Sequence, residues 1–402
     1  MRATLGVMVI GALASAVAAG AGKARVETTD ARVLTGALVA VTDAQVVVKT
    51  DKGRQALPAA QVAEILLAEP RDLLAATGRA VLVTAAGDRL SVTGVSFDGE
   101  AGRLRFACAL FGRGEIAMEL AKVLYLPAAT VSARDLEKLY RRTRLPKTSG
   151  DCLLVRRPGK EPLAVDGVLE GIEAGKILFQ WKGKKQTIAR ENVMMIRLAA
   201  VAAELPARKG VLVGADGSML QFTSLAMSGD TVTVDSPSVG KQSVSAANVA
   251  AIRLASADVV RLTELEPSSV KEYGYFGTVF EHRVDKAVSG KPLRLGGRTY
   301  RSGLGVHSFC ELTYELGGRF KTFVATVGID DEVRPNGDAT ITFLADGKPL
   351  GKPVRLTGKE AAKAIRLNVA GAKTFVLRVG FGADGLGFAD HVDIVAARLL
   401  KK

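Results

Sequence analysis

The chain has 402 residues, nearly half of them hydrophobic, with 43 glycines and only 5% aromatics. That length suits two or three domains, and that apolar fraction excludes wholesale disorder. The formal charge of +14 would draw the chain toward anionic polymers such as acidic polysaccharide, lipid headgroups or released nucleic acid, but the cations are scattered and predict no specific nucleic-acid site.

Residues 1–21 read as a secretory signal. Arg2 is a short positive region, Leu5 to Leu13 is apolar, and Ala16-Val17-Ala18 and Ala19-Gly20-Ala21 both suit cleavage. The expected protein is exported, periplasmic or extracellular, with a charge of +13 once Arg2 is lost (54 basic minus 41 acidic). No later apolar run approaches the ~18 residues of a spanning helix, so no transmembrane domain is expected after cleavage. The three cysteines, Cys108, Cys152 and Cys310, are far apart and show no C-x-x-C spacing. Buried thiols are the simplest expectation for them.

Residues 25–256 are aliphatic and repetitive. A Gly-containing strand pair leads through a polar segment to an apolar terminus spaced V-x-x-I-x-L. The four termini are Val62/Ile65/Leu67, Leu120/Val123/Tyr125, Val193/Ile196/Leu198 and Val249/Ile252/Leu254, separated by 58, 73 and 56 residues. Within a unit the period is two, as in Gln45 to Thr50 before the Asp51-Lys52-Gly53 turn and Thr231 to Val234 after Ser228-Gly229-Asp230. This pattern predicts four small β-barrel-like repeats of four or five strands, packed in pairs, with repeats 1 and 2 in 25–130 and repeats 3 and 4 in 148–256. A helical linker is predicted over 131–147, with Ser132 as N-cap and Leu136, Leu139 and Tyr140 on one face. The densest cationic runs are Arg141-Arg142-Thr143-Arg144 and Lys182-Gly183-Lys184-Lys185. Such runs are usually solvated surface.

Residues 259–402 hold all three histidines and 13 of the 21 aromatics. Cys310/Leu312/Tyr314/Leu316, Phe323/Ala325/Val327/Ile329 and Phe375/Leu377/Val379/Phe381 alternate cleanly. An antiparallel, jelly-roll-like β-sandwich is predicted, with most of those aromatics in its core. The fold class expected for the whole chain is therefore all-β. Three irregular segments stand out: Arg301 to Ser308, Val327 to Arg334 and Phe388 to Asp393. Glycines beside a histidine, and acidic pairs at a strand end, suit loops that fix backbone and polar groups together.

These segments resemble the NPCBM family, carbohydrate-binding modules found beside glycoside hydrolase family 98 enzymes. The matching blocks are Gly297-Arg298-Thr299-Tyr300 with Gly303-Leu304-Gly305-Val306-His307-Ser308, then Tyr314, Leu316, Gly318, Phe320 and Phe323. Val327-Gly328-Ile329-Asp330-Asp331 follows, then Phe343 with Asp346-Gly347-Lys348. Val369 to Lys373 and Asp390-His391-Val392-Asp393 with Ala397-Arg398-Leu399 complete the set. The resemblance implies a β-sandwich that binds a glycan without catalysis. One departure is Ile394, where the family usually has Trp. Ile is tolerable there if the Trp packs the core, whereas sugar binding suffers if the Trp contacts ligand.

The ligand-binding candidates are His307, Asp330, Asp331, Arg334, Asp390, His391 and Tyr275. His307 either donates to a sugar hydroxyl or is held by a carboxylate such as Asp390. Arg334 either pairs with the acidic residues before it or reaches a ligand, and Tyr275 is a stacking candidate beside Tyr273 and Phe276. No cofactor is expected. Asp330, Asp331 and Asp390 are the candidate ligands for a structural calcium, a hard cation that takes carboxylate oxygens. No G-x-S-x-G, H-E-x-x-H or P-loop motif is present. The expected function is an exported, non-catalytic carbohydrate-binding protein. The alternatives are an envelope scaffold contacting other envelope proteins, or an accessory subunit of a separate glycoside hydrolase.

Overall fold

The structure is a computed structural model that describes residues 23–30, 32–68, 79–126, 150–199, 204–256, 258–274 and 277–401. The expected signal (1–21), the linker helix (131–147), the Arg141–Arg144 run and Tyr275 with Phe276 lie outside these residues. The described chain is all-β. It falls into two compact units, one holding the chain up to Glu27 and Val33–Ala255, the other Thr28–Arg32 and the chain from Ser256 onward.

The first unit contains the four repeats: 24–66, 80–125, 151–197 and 210–254. In each, the first strand pairs with both the second and the fifth, and strands two to four form a meander. Each second strand must bend from one side of the small barrel to the other. It does so at a register shift between Leu38 and Ala40, Thr93 and Ser96, or Leu169 and Gly171, and in repeat 4 it breaks between Met219–Phe222 and Ser224–Ser228. In repeat 2 Gly94, at φ 58°, supplies a conformation that other residues resist. A short 3-10 turn precedes each fifth strand, at Ala59–Gln61, Met118–Leu120, Arg190–Asn192 and Ala246–Asn248.

The V-x-x-I-x-L termini are those fifth strands. Their apolar residues also join repeats: Ile252 pairs with Ile65 between repeats 4 and 1, and Leu124 with Ile196 between repeats 2 and 3. The expected pairing thus has a definite form, fifth strand against fifth strand. A third seam joins repeats 2 and 4 through the Met219–Arg89 pair. There the Ser91 amide donates to Ser218 Oγ at 3.0 Å, and the Gln221 amide donates to Asp88 Oδ1 at 2.6 Å. The two repeats therefore meet by the same device in both directions.

The second unit is a sandwich of two antiparallel sheets. One runs Arg283–Val284, Gly303–His307, His391–Leu400, Thr322–Ile329, Lys363–Asn368, with Val259–Arg261 on the far end of His391–Leu400. The other runs Ser269–Glu272, Cys310–Glu315, Thr374–Phe381, Asp338–Ala345, with Lys348–Pro349 and Val354–Thr357 on its edge. Every second residue points between the sheets, and this makes the core. Phe323, Phe343 and Phe375 cluster there with ring centroids 4.8–6.1 Å apart. Ile394 is fully buried in the same core, opposite Leu304 and Val327. The three cysteines are free and buried, and burial pushes the Cys108 and Cys152 thiols up to about 11 and Cys310 higher still.

Candidate functional site

Strand order alone brings the two loop histidines together. His307 ends Gly303–His307, His391 begins His391–Leu400, and the two stand directly opposite in the ladder. The Thr322–Ile329 strand lies on the other side of His391–Leu400, and its exit carries Asp330, Asp331 and Glu332 to the same end of the sheet. After His307 the chain crosses to the other sheet through Ser308-Phe309, whose peptide is cis.

His307 is 5% exposed, yet its ring has an open neighbour. Phe280, 42% exposed, stacks on it with centroids 4.3 Å apart and planes 23° apart. His391 meets His307 edge-on at 5.6 Å and Phe280 at 6.3 Å. Phe388, at 71%, is the most exposed of the large hydrophobics among the described residues. Its neighbour Gly387 lies against the site, where an added Cβ would stand 3.5 Å from His307 Cε1 and 3.3 Å from Ser308 Oγ. Nearby on the chain, Tyr273, 53% exposed, stacks on Phe309 at 4.4 Å.

Polar contacts fix the rings. His307 Nδ1 lies 2.7 Å from the Ser308 carbonyl. A carbonyl only accepts, so Nδ1 carries the proton and Nε2 is left as an acceptor. Burial, with His391 adding to it and the Ser308 bond opposing, holds the His307 pKa below its usual value and keeps the ring neutral. His391 Nδ1 lies 2.9 Å from Glu332 Oε1, and Lys291 Nζ reaches Glu332 Oε2 at 3.2 Å. Burial works against ionisation of Glu332, but hydrogen bonds from Ser289, His391 and Lys291 overcome it and hold its pKa below the usual range.

The acidic candidates serve as supports. Asp390 is fully buried; it accepts Ser308 Oγ at 2.5 Å and the Asp338 amide at 2.9 Å, so Ser308 stands where a direct Asp390–His307 contact was one expectation. Burial raises Asp390 to about 6, against the lowering effect of those two donors. Asp330 is 1% exposed and accepts from the Glu332 amide at 2.7 Å and the Arg294 amide at 3.2 Å. Asp331 accepts from the amides of Gly296 and Gly297 at 2.8 and 2.6 Å, bracing a turn in which both glycines have positive φ. Arg334 Nη1 lies 4.0 Å from Asp331, a loose ion pair. Of the sequence candidates, His307, His391 and Asp390 gather at the ring cluster; Asp330 and Asp331 hold the Leu293–Tyr300 hairpin beside it, with Arg334 paired loosely to Asp331.

Asp393, in the Phe388–Asp393 segment but not among the ligand candidates, is fully buried next to Asp330 and also accepts the Arg294 amide, at 2.9 Å. Burial first, then its hydrogen bond and charge contact with Asp330, push Asp393 up to about 10. Its other oxygen, Oδ1, is buried without a hydrogen-bond partner among the described residues.

Asp330, Asp331 and Asp390 are each committed to backbone amides or Ser308, and among the described residues no group of three or more His, Cys, Asp or Glu is gathered to hold a metal. Nor, among the described residues, is any helix long and apolar enough to cross a membrane.

Sequence reasoning missed Phe280, Glu332, Lys291 and Phe388. Phe388 and Glu332 lay inside the irregular segments Phe388–Asp393 and Val327–Arg334, whereas Phe280 and Lys291 lay outside all three.

Residues 258–400 match the family model described as NPCBM/NEW2 domain. A curated relative from Renibacterium salmoninarum, named "Putative endo-alpha-N-acetylgalactosaminidase", is 37% identical over 100 residues, which are 25% of this chain and 7% of that protein. Among solved structures, the CBM51 module of a Clostridium perfringens GH95 protein, in complex with methyl-galactose, is 27% identical and aligns over 35% of this chain and 99% of that one, with a TM-score of 0.32. The tandem CBM51 modules of a Streptococcus pneumoniae family 98 glycoside hydrolase are 12% identical over 94% of this chain and 88% of theirs, with a TM-score of 0.31. The family model covers the sandwich from its first strand to its last. Residues 258–400 are an NPCBM/NEW2 domain.

Proposed function

We propose that the protein is exported and non-catalytic, and that its C-terminal module binds a neutral glycan at the Phe280–His307–His391 cluster. One observation carries this reading: a neutral, rigidly held histidine shares a stacked face with a half-exposed phenylalanine at the mouth of three strand ends. A sugar ring offers an apolar C–H face for such a surface and hydroxyls for its rim. His307 Nε2 is the acceptor for one hydroxyl, and the Lys291–Glu332–His391 chain supplies a preorganised polar edge. Charge on Glu332 is already balanced by Lys291, which favours an uncharged ligand over an acidic one. Asp330 and Asp393 do not work on substrate, because they are 1% and 0% exposed.

The test is a glycan array probed with the full chain, with methyl-galactose as the first competitor. Binding to a defined set of glycans is expected, lost in Phe280→Ala and in His307→Ala while the unfolding temperature of the module holds. A flat array, or binding indifferent to both substitutions, would falsify the reading. The repeats support a second role beside this one. Among the described residues their strands join into one 21-stranded network, an extended base suited to scaffolding at the envelope. A reproducible envelope partner captured by a chain with an inert glycan site would favour that role over glycan binding.

A further inference from the structure

The seam between repeats 2 and 4 shows what the corresponding end of a repeat does when it is covered. Two loops of each repeat take part: the hairpin joining strands one and two, and the hairpin joining strands three and four. In the first hairpin Leu90 and Leu220 occupy equivalent places, opposite Leu82 and Leu212, and both are fully buried. In the second, Leu110 of repeat 2 is 1% exposed and packs beside Gly214 of repeat 4, while Ser238 of repeat 4 bonds Thr84 of repeat 2 at 3.1 Å.

Repeat 3 presents the same end uncovered. Val165, opposite Leu153, is the counterpart of Leu90 and Leu220 and is only partly buried, and Leu163, two residues before it and opposite Val155, is 42% exposed. The strand-three to strand-four hairpin carries Trp181, the only tryptophan of the chain, 42% exposed at its tip. Around it stand Lys182, Lys184 and Lys185, all exposed. Lys182 Nζ sits 5.1 Å from the Trp181 ring centroid. Lys185 leans on Glu170 at 3.4 Å; Lys182 and Lys184 form no ion pair among the described residues. Gln180, beside Trp181, has Val168, 51% exposed, on one flank and Lys185 on the other.

Three features decide what could cover this end. Ala164, opposite Leu154, occupies the position of Arg89 and Met219, the pair that bridges repeats 2 and 4, and Pro162 two residues before it has no amide hydrogen to extend a ladder there. A second copy docking by the same device would set lysines against lysines. The exposed apolar residues, Trp181, Leu163 and Val168, fall far short of the ~800 Å² per partner of a stable protein interface. What remains is an indole plane ringed by unpaired ammonium groups. A sugar acid has the complementary pair of features, an apolar ring face and a carboxylate.

We propose that the free end of repeat 3, centred on Trp181, Lys182 and Lys184, binds acidic polysaccharide of the polyuronate class. The site is separate from the Phe280–His307 cluster, and its ligand is charged where that one is neutral.

Because Trp181 is the only tryptophan, its fluorescence reads this site alone. Titrating the full chain with polygalacturonate is expected to change its emission saturably, and the double variant Lys182→Glu/Lys184→Glu is expected to bind about tenfold more weakly or worse. Trp181→Ala, followed by retardation in polygalacturonate gels, is expected to lose about tenfold. Both variants sit on an exposed turn, and an unchanged unfolding temperature checks that they fold. Neutral pullulan should leave the emission unchanged, and poly-L-glutamate, which has charge without sugar rings, should bind at least about tenfold more weakly. The proposal is overturned by an emission unmoved by polygalacturonate, by poly-L-glutamate binding as well, or by indifference to charge reversal. Anionic phosphatidylglycerol vesicles that shift the emission more than polygalacturonate would assign the surface to lipid instead.

Discussion

The two parts of the chain bury carboxylates to different ends. In the repeats, Asp88 is fully buried and closes a network with Thr84, Gln221 and Ser238 that fastens repeat 2 to repeat 4. In the sandwich, Asp330, Asp331, Asp390 and Asp393 pin loops at one end of a sheet and leave aromatic rings open between them. A buried acid therefore does not mark a site in either part. What separates them is whether the pinned loops present an uncovered ring, as Phe280 and Phe388 do, or bury themselves against a neighbour, as Leu110 does.

The sharpest way to break this comparison is to empty one core. Phe323→Ala removes a fully buried ring from the Phe343–Phe375 cluster and should cost the sandwich about 3–5 kcal/mol. Calorimetry should show one transition move while the transition reported by Trp181 fluorescence stays put. Loss of both together would mean the units are not separately stable.

Next in size is pH. Asp393 holds its proton more tightly folded than unfolded, its pKa rising from 3.8 to about 10. Between those values the folded state binds the extra proton, so this contribution is complete at low pH and is lost as pH rises. Sandwich stability should fall from pH 6 to pH 9, by no more than ~1.4 kcal/mol per unit. Asp393→Asn should flatten that slope. Asp390, raised to about 6, contributes in the same direction only below that pH. The repeats offer a contrast in kind: Asp88→Ala should cost them about 1–3 kcal/mol by stranding the Gln221 amide and Thr84, seen in the Trp181 transition. Smallest, Ile394→Trp should cost about 1–3 kcal/mol by overpacking and leave glycan binding intact. A gain in binding there would place residue 394 at the ligand.

Much of this was legible in the sequence, because period two is a direct physical signature of half-buried strands. Cys310, Leu312 and Tyr314 face the core as their alternation requires, and the V-x-x-I-x-L termini are the fifth strands of the repeats. Which repeats pair was not legible, since fifth-strand pairing uses the same apolar residues whatever the partner. At the site, His307 and His391 stood out as histidines in irregular segments. Their partners did not: Phe280 lies in a stretch with no period, and Glu332 and Lys291 meet only because strand order brings distant loops together. Asp330 and Asp331 attracted notice as an acidic pair, yet their oxygens face backbone amides, and no spacing rule reveals that.

The central claim concerns the ring cluster, and the three histidines of the chain give a direct test of it. Ring NMR signals of His307, His391 and His282 can be followed while a glycan that scores on the array is titrated into the full chain. His307 and His391 should shift together and saturably, with His282, held by Glu272 at 2.8 Å, unmoved. Saturable glycan binding that leaves the His307 and His391 signals in place would contradict the account.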